Sequence, residues 1–259
     1  MNPRCFKDLL AFMTRLPLGG GSLEGAATCF HLVPLAGLFI AVVVYTPLLA
    51  LALLEAPGIL AGFIYPAVHY LVTGGLHLDG LADYADVWGS GARGESAVRI
   101  LKDPRRGSHA IAAITASTVA SAGAVATVYS AGPIEVLALL GAAYAAAYES
   151  MYVTVLVGPT EPYRGMAYLF TSSARRSYRA NIPLYLAVTL ALGALATIAS
   201  IHLAMIIVAV ITLTPGLGVI AALDAKSRLG FVSGDVAGAS FEVSRVTALV
   251  IAATAVAIT

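Results

Sequence analysis

The sequence has 259 residues, of which 59% are hydrophobic and only 11% are charged, and its mean hydropathy is +0.88. A soluble domain carries about 25% charged residues, so the composition excludes an ordinary soluble enzyme and predicts an integral membrane protein. The net charge of +1 gives no reason to expect a nucleic-acid partner. We expect one domain over residues 1–259, and Cys5 and Cys29, being so few, to be free thiols.

The first segment of the chain is amphipathic. Phe6, Leu9, Leu10, Met13 and Leu16 recur at helical spacing. Basic residues lie on both sides of this short apolar stretch, which is not typical of a signal peptide. The pattern predicts an N-terminal amphipathic helix that lies on the membrane surface.

Long apolar stretches follow and predict an all-α, polytopic integral membrane protein with six to seven transmembrane helices. A crossing needs about 20 residues, so the final stretch spans only if it begins nearer Phe241. The predicted spans are residues 30–54, 58–76, 110–130, 133–157, 182–200 and 203–222, and the final stretch is 246–259.

The basic residues predict the orientation. With the N-terminus in the cytoplasm, all fifteen Lys and Arg fall on the cytoplasmic side, as the positive-inside rule requires. We therefore expect a multi-pass protein of the cell membrane whose active site faces the cytoplasm. The residues are Arg4, Lys7, Arg15, Arg93, Arg99, Lys102, Arg105, Arg106, Arg164, Arg175, Arg176, Arg179, Lys226, Arg228 and Arg245.

Three aspartates carry the strongest chemical signal. Asp79, Asp83 and Asp86 stand at i, i+4 and i+7, which places them on one face of a helix continuing the second span. Their mutual repulsion is relieved by a divalent cation, and a set of carboxylates suits Mg²⁺ or Mn²⁺. A solvated helix end is the simpler alternative. His77 is a further ligand, a hydrogen-bond partner or a structural residue.

A basic turn precedes the third span. Lys102, Asp103, Arg105 and Arg106 lead to Ser108, a predicted N-cap, and a helix N-terminus beside basic residues is suited to phosphate. The alternative is ordinary flanking charge that fixes orientation. Asp103 favours a functional site, because orientation alone does not need a carboxylate.

A second carboxylate face lies near the C-terminus. Asp235 and Glu242 stand at i and i+7, and Gly234 with Gly238 allows another helix to pack closely. A metal-and-base site is one interpretation, and a capped helix start is the other. Glu149 lies inside the fourth span, about 12 Å from its cytoplasmic end at about 1.5 Å per residue, where an ionisable side chain indicates function or a hydrogen-bonded neutral acid.

These residues resemble a known family. Residues 74–86, GGLHLDGLADYAD, are similar to the first motif of the cobalamin-5'-phosphate synthases, the adenosylcobinamide-GDP ribazoletransferases. Residues 102–107 resemble the second motif, residues 234–242 the third and residues 12–17 the opening of that family. Residues 164–167 are only loosely similar. The resemblance covers nearly the whole chain, with the motifs in the same order.

The resemblance implies a membrane enzyme that joins α-ribazole, or its 5'-phosphate, to adenosylcobinamide-GDP and releases GMP, with Mg²⁺ as cofactor. Its partners would be these small molecules and the lipid bilayer, and a homo-oligomer stays open. By position, the metal ligands would be Asp79, Asp83 and Asp86. The catalytic carboxylates would be Asp86, Asp103, Asp235 and Glu242, and the substrate-binding residues His77, Lys102, Arg105, Arg106, Ser108 and Arg164.

Two other functions compete with this one. A CDP-alcohol phosphotransferase also has an aspartate-rich segment, but its pattern needs an Ala-Arg pair where Asp83 and Tyr84 stand here. A cation-coupled transporter would use Glu149 as its proton carrier. The sequence has no Walker-type glycine loop, so ATP hydrolysis is not indicated.

Overall fold

A computed structural model describes residues 3–258, and within them the chain forms twelve α-helices, one short 3₁₀ turn (Phe30–Leu32) and no β-strand. The helices are α1 (Pro3–Met13), α2 (Leu23–Thr28), α3 (Val33–Leu53), α4 (Gly58–Thr73), α5 (Leu76–Ser90), α6 (Glu95–Leu101), α7 (Ser108–Tyr129), α8 (Pro133–Val157), α9 (Met166–Ala199), α10 (Ile201–Leu213), α11 (Gly216–Arg228) and α12 (Gly234–Ala257).

The helices confirm the all-α, polytopic membrane fold. Six stretches of the described chain are long and apolar enough to cross a membrane, and α4 with α5 makes a seventh if that bent pair counts as one span. Helix α8 is the centre of the bundle, because almost all of its residues are buried by its neighbours. The six stretches are Phe30–Leu53, Ser108–Tyr129, Pro133–Val157, Met166–Ala199, Ile201–Arg228 and Gly234–Ala257.

The prediction that α5 continues the second span is wrong. The axes of α4 and α5 differ by 98°, and the turn between them consists of Gly74 and Gly75. Both glycines have φ near +70°, a backbone conformation that residues with a Cβ rarely adopt. The aspartates of α5 are therefore carried away from the direction of α4.

Helix α12 begins at Gly234, so it is long enough to span, and the expectation that the last stretch is too short is corrected. The same helix corrects the placement of Arg245 beside the membrane. Arg245 lies eleven residues into α12, about 16 Å along its axis at about 1.5 Å per residue, and its side chain is completely buried. Helix α9 also begins early, at Met166, and includes Arg175, Arg176 and Arg179.

Helix α1 forms as predicted, but its apolar face packs against protein. Leu9 and Met13 are completely buried, and the ring of Phe12 stacks on Phe170 of α9 with centroids 5.0 Å apart. Cys5 and Cys29 are joined in a disulfide, which overturns the expectation of free thiols. The packing of α1 on α2 brings their Cα atoms to 5.6 Å, a proximity that their separation in sequence does not reveal.

Helices α5 and α12 cross at closely apposed glycines. A Cβ on Gly80 would lie 2.7 Å from the carbonyl oxygen of Asp235, and a Cβ on Gly238 would lie 3.2 Å from the Cα of His77. Small residues at such a crossing allow the backbones of two helices to touch. The crossing brings the first aspartate of α5 and the first carboxylate of α12 to the same place.

The Gly80 crossing gives a stability prediction. Gly80→Ala is expected to destabilise the protein by about 1–3 kcal/mol, because the added methyl group forces α5 away from the α12 backbone. Thermal unfolding followed by circular dichroism in one detergent measures the effect. The matched control is Gly123→Ala in α7, where a Cβ would meet no atom within 4 Å. Equal unfolding temperatures for the two variants would contradict this account of the crossing.

Candidate functional site

Asp79 and Asp83 share one guanidinium. They lie one turn apart on α5, and Arg106, from the loop between α6 and α7, makes an ion pair with each of them. Asp79 is 60% exposed and Asp83 16% exposed at their side chains, so the pair lies where solvent meets the bundle. The predicted proximity of these two carboxylates is present, and a single positive charge already bridges them.

Asp86 has a different role from its two neighbours. Its carboxylate accepts backbone N–H bonds from Gly107 at 2.7 Å and Ala110 at 3.0 Å, and so caps the first turn of α7. The N-cap residue is Gly107, and the expected Ser108 cap is wrong because the aspartate satisfies these donors instead. The helix N-terminus that we predicted to bind phosphate thus already holds an anion, the carboxylate of Asp86.

The other basic residues of the turn pair with groups other than Asp79 and Asp83. Arg105 donates two bonds to Asp103, at 2.9 and 2.7 Å, and its guanidinium is 87% exposed. These bonds hold the pKa of Asp103 well below its usual range. Lys102 places its ammonium 5.2 Å from the centre of the Tyr163 ring. The turn therefore contributes one arginine, Arg106, to the carboxylates and presents its other cations to solvent.

Asp235 approaches the pair from α12. Ser233 caps that helix by accepting the Val236 N–H, and Asp235 follows in the first turn. Asp79 and Asp235 line the same cavity, so the first carboxylates of α5 and α12 lie close together, whereas Glu242 does not line it. The sequence pattern could predict each face, whereas their meeting depends on the close crossing at Gly80.

His77 is buried beside these carboxylates. Its ring stacks on Phe241 with centroids 4.1 Å apart, and Nδ1 has no hydrogen-bond partner. The residue is 3% exposed and lines the cavity shared by Asp79 and Asp235. An unpaired polar atom costs free energy when buried, so Nδ1 is a candidate contact for a bound molecule.

Two cavities meet at Asp79, which lines both. The polar cavity, of about 630 Å³, lies under α1 and includes Asp8, Thr14 and Arg15. Arg15 packs over the α4–α5 bend, and its backbone N–H bonds the Val72 carbonyl at 2.8 Å. We did not single out Arg15 as a site residue, although it lies in the opening segment that carries part of the family resemblance.

Glu242 belongs to a buried network and not to either cavity. Its carboxylate contacts His69 Nε2 at 2.9 Å and Arg245 at 2.6 Å, and all three side chains are completely buried. Arg245 also donates to Tyr65 at 2.8 Å and to Ser121 at 3.2 Å. The network joins α4, α7 and α12, so the geometry supports a structural role for Glu242.

Two further residues are placed apart from the carboxylates. Glu149 is buried in α8 and accepts a bond from the side-chain amide of Asn181 at 3.1 Å. This hydrogen bond agrees with the alternative that Glu149 is a hydrogen-bonded acid inside the bundle. Arg164 is exposed, in the loop between α8 and α9. Neither side chain reaches Asp79 through a contact that the structure shows.

The carboxylate pair fits a magnesium ion that a substrate helps to bind. Within the described residues, no group of three or more His, Cys, Asp or Glu side chains is arranged to hold a metal unaided. Protein sites for Mg²⁺ commonly supply one or two carboxylates, while water and substrate phosphates complete the coordination. Asp79 and Asp83 meet that requirement, because both already contact a single cationic group.

Comparison with known proteins places the chain in a family. The family model described as Cobalamin-5-phosphate synthase matches residues 5–253. Relatives named adenosylcobinamide-GDP ribazoletransferase include one from Pyrobaculum islandicum, 33% identical over 93% of this chain and 92% of its own length, and one from Pseudomonas paraeruginosa, 31% identical over 93% and 94%. No solved structure matches the chain. The chain belongs to the cobalamin-5-phosphate synthase family.

Proposed function

We propose that this membrane protein is an adenosylcobinamide-GDP ribazoletransferase that uses Mg²⁺. It joins α-ribazole, or its 5'-phosphate, to adenosylcobinamide-GDP and releases GMP, which completes the nucleotide loop of cobalamin. The observation that supports the proposal most is the Asp79–Asp83 pair with its shared Arg106, set where two cavities of different polarity meet. Phosphoryl transfer needs such an arrangement, since positioning and charge neutralisation carry most of its catalysis.

The bonds exchanged define the roles of the residues. A ribose hydroxyl oxygen that is free in both α-ribazole and its 5'-phosphate forms a bond to the cobinamide-linked phosphorus, and the bond from that phosphorus to the oxygen of GMP breaks. A Mg²⁺ ion held by Asp79 and Asp83 would neutralise charge on the phosphate oxygens. Arg106, the cation nearest the pair, contacts the diphosphate, and Lys102 and Arg105 guide it from the exposed turn.

Asp235 is our candidate for the base. It takes the proton of the attacking ribose hydroxyl, because it shares a cavity with Asp79 and, among the described residues, no Lys or Arg makes an ion pair with its carboxylate. Asp86 and Glu242 instead hold the α7 N-terminus and the buried network in place. Asp103 orients Arg105. We assign Ser108 and Arg164 no direct role in the transfer.

We propose a cytoplasmic orientation in the cell membrane for the same site. The basic turn from Lys102 to Arg106 and the exposed end of α5 are polar, and basic residues are retained on the cytoplasmic side of membrane proteins. Both substrates are water-soluble at their reacting groups, so they would enter from the cytoplasmic side.

Product analysis tests the function. Purified protein in lipid nanodiscs, given adenosylcobinamide-GDP, α-ribazole and Mg²⁺, is expected to release GMP and form one equivalent of cobamide, measured by mass spectrometry. EDTA should abolish both products, and excess Mg²⁺ should restore them. Product formation that persists in EDTA would overturn the magnesium requirement alone. Release of CMP from CDP-diacylglycerol, without any cobamide, would show that the protein acts as a phospholipid-synthesising enzyme instead.

A further inference from the structure

The smaller cavity, which we call the aromatic cavity, has walls of a distinct composition. It has a volume of about 230 Å³ and includes Phe12, Phe30 and Phe170. The Phe170 ring contacts the other two, with centroids 5.0 Å from Phe12 and 4.8 Å from Phe30. These phenyl rings come from α1, the 3₁₀ turn and α9, so three separate segments converge to form one apolar wall.

The aromatic cavity also has polar groups in its lining. Asp79 and Asp235 are carboxylates there, and His77 is an imidazole whose Nδ1 is buried without a hydrogen-bond partner. A ligand that fits must be flat and apolar over most of its surface, with one acceptor or donor for His77. It must also extend toward the carboxylates a group that can react there.

The volume and the apolar lining of the aromatic cavity exclude adenosylcobinamide-GDP, the larger substrate, from it. Cavities that bury whole drug-sized molecules have volumes of about 300–1,000 Å³, and the aromatic cavity is smaller than that range. A corrin macrocycle or a complete dinucleotide therefore does not fit. The polar cavity on the other side of Asp79, with about 630 Å³ and Arg15 in its wall, suits a phosphorylated group better.

We propose that the aromatic cavity binds the base of the nucleoside substrate and sets which base is accepted. This inference rests on the proposed function. The base of α-ribazole, 5,6-dimethylbenzimidazole, is flat and has one unsubstituted ring nitrogen, which accepts a hydrogen bond from Nδ1–H of His77. Its ring lies against the phenyl groups, where offset and edge-on contacts are favourable. The ribose then points its attacking hydroxyl toward Asp79 and Asp235.

Val155 offers a test of base selection. It is 2% exposed, lies on α8 and lines the aromatic cavity, and it carries no charge or polar group. Val155→Phe fills part of the cavity and is expected to lower kcat/KM for α-ribazole about tenfold relative to the riboside of benzimidazole without methyl groups. The KM for adenosylcobinamide-GDP should stay unchanged. An equal loss for both ribosides would overturn the proposal.

A matched variant controls for damage to the helix. Val157→Phe makes the same exchange two residues later on α8, where the side chain is 51% exposed, and should leave both ribosides unaffected. Should Val155→Phe fail to fold, Val155→Ile adds a single methyl group and is expected to change the preference in the same direction. An unchanged preference in the folded Ile variant would count against the base site as well.

Calorimetry separates this inference from the proposed function. Titration of α-ribazole alone into nanodiscs measures base binding without any turnover. Weaker α-ribazole binding in Val155→Phe than in Val157→Phe supports the base site. If no cobamide forms in the same preparation, the proposed transfer reaction is contradicted while the base site still stands. If both variants make cobamide normally and bind α-ribazole with equal affinity, the base does not bind in this cavity. The proposed function would still stand in that case.

Discussion

Replacing Asp79 and Asp83 together by asparagine is expected to lower the rate of GMP release by about 10³-fold or more. Asparagine keeps the size of each side chain and removes both negative charges, so neither the metal nor Arg106 is held. Losses of this size are typical when the groups that stabilise charge in a transition state are removed. The measurement is kcat in nanodiscs over a titration of Mg²⁺.

A control variant tests whether the loss of activity is specific to Asp79 and Asp83 or follows from removing any exposed carboxylate. Glu95→Gln removes an exposed carboxylate at the start of α6 and is expected to leave kcat unchanged. Binding of Mn²⁺, followed by electron paramagnetic resonance in the presence of GDP, should weaken in the Asp79/Asp83 variant only. Full Mg²⁺-dependent activity in that variant would remove both residues from the metal site.

The second large effect concerns the buried ion pair. Arg245→Met is expected to destabilise the protein by about 3–5 kcal/mol, because it leaves the Glu242 carboxylate in the interior without its partner cation. Glu242→Gln with Arg245→Met removes both charges and should recover much of that loss. Glutamine also retains a hydrogen bond to His69, which now contacts the carboxylate at 2.9 Å.

Thermal unfolding of the two single variants and the double variant measures the coupling. If the loss in the double variant equals the sum of the single losses, Glu242 and Arg245 do not act as a pair and this account fails. The activity of the folded double variant answers a second question. GMP release near the level of the unsubstituted protein would show that Glu242 has a structural role. Loss of GMP release in the folded double variant would indicate that Glu242 is a catalytic carboxylate.

Apolar runs predicted most of the spans, and helical spacing predicted that Asp79 and Asp83 share one face of α5. Composition reports which segments enter a membrane, and a period of 3.6 residues reports which side chains share a helix face. The bend at Gly74 and Gly75 was harder to predict. Glycine permits a left-handed turn without requiring one, so the pair does not by itself reveal that α5 turns away from α4.

Contacts between distant segments could not be predicted from local patterns. Nothing near Asp86 in sequence indicates that it caps α7, and nothing near Arg106 indicates that it pairs with the other two aspartates, 23 and 27 positions earlier in the chain. Arg245 was assigned to the membrane surface because basic residues usually flank spans. Its burial depends on Glu242, which neutralises it one turn away on the same helix.

The crossing of α5 and α12 has a consequence for biosynthesis. His69 of α4 and Glu242 of α12, which contact each other, are 173 positions apart in the chain, and α12 is translated after every other helix that the structure describes. The polar face of α5 therefore has no α12 to pack against while the four spans between α5 and α12 are inserted. Ribosome-bound chains that end before α12 would hold no complete site, and a separately expressed α12 would be the fragment to supply in a complementation experiment.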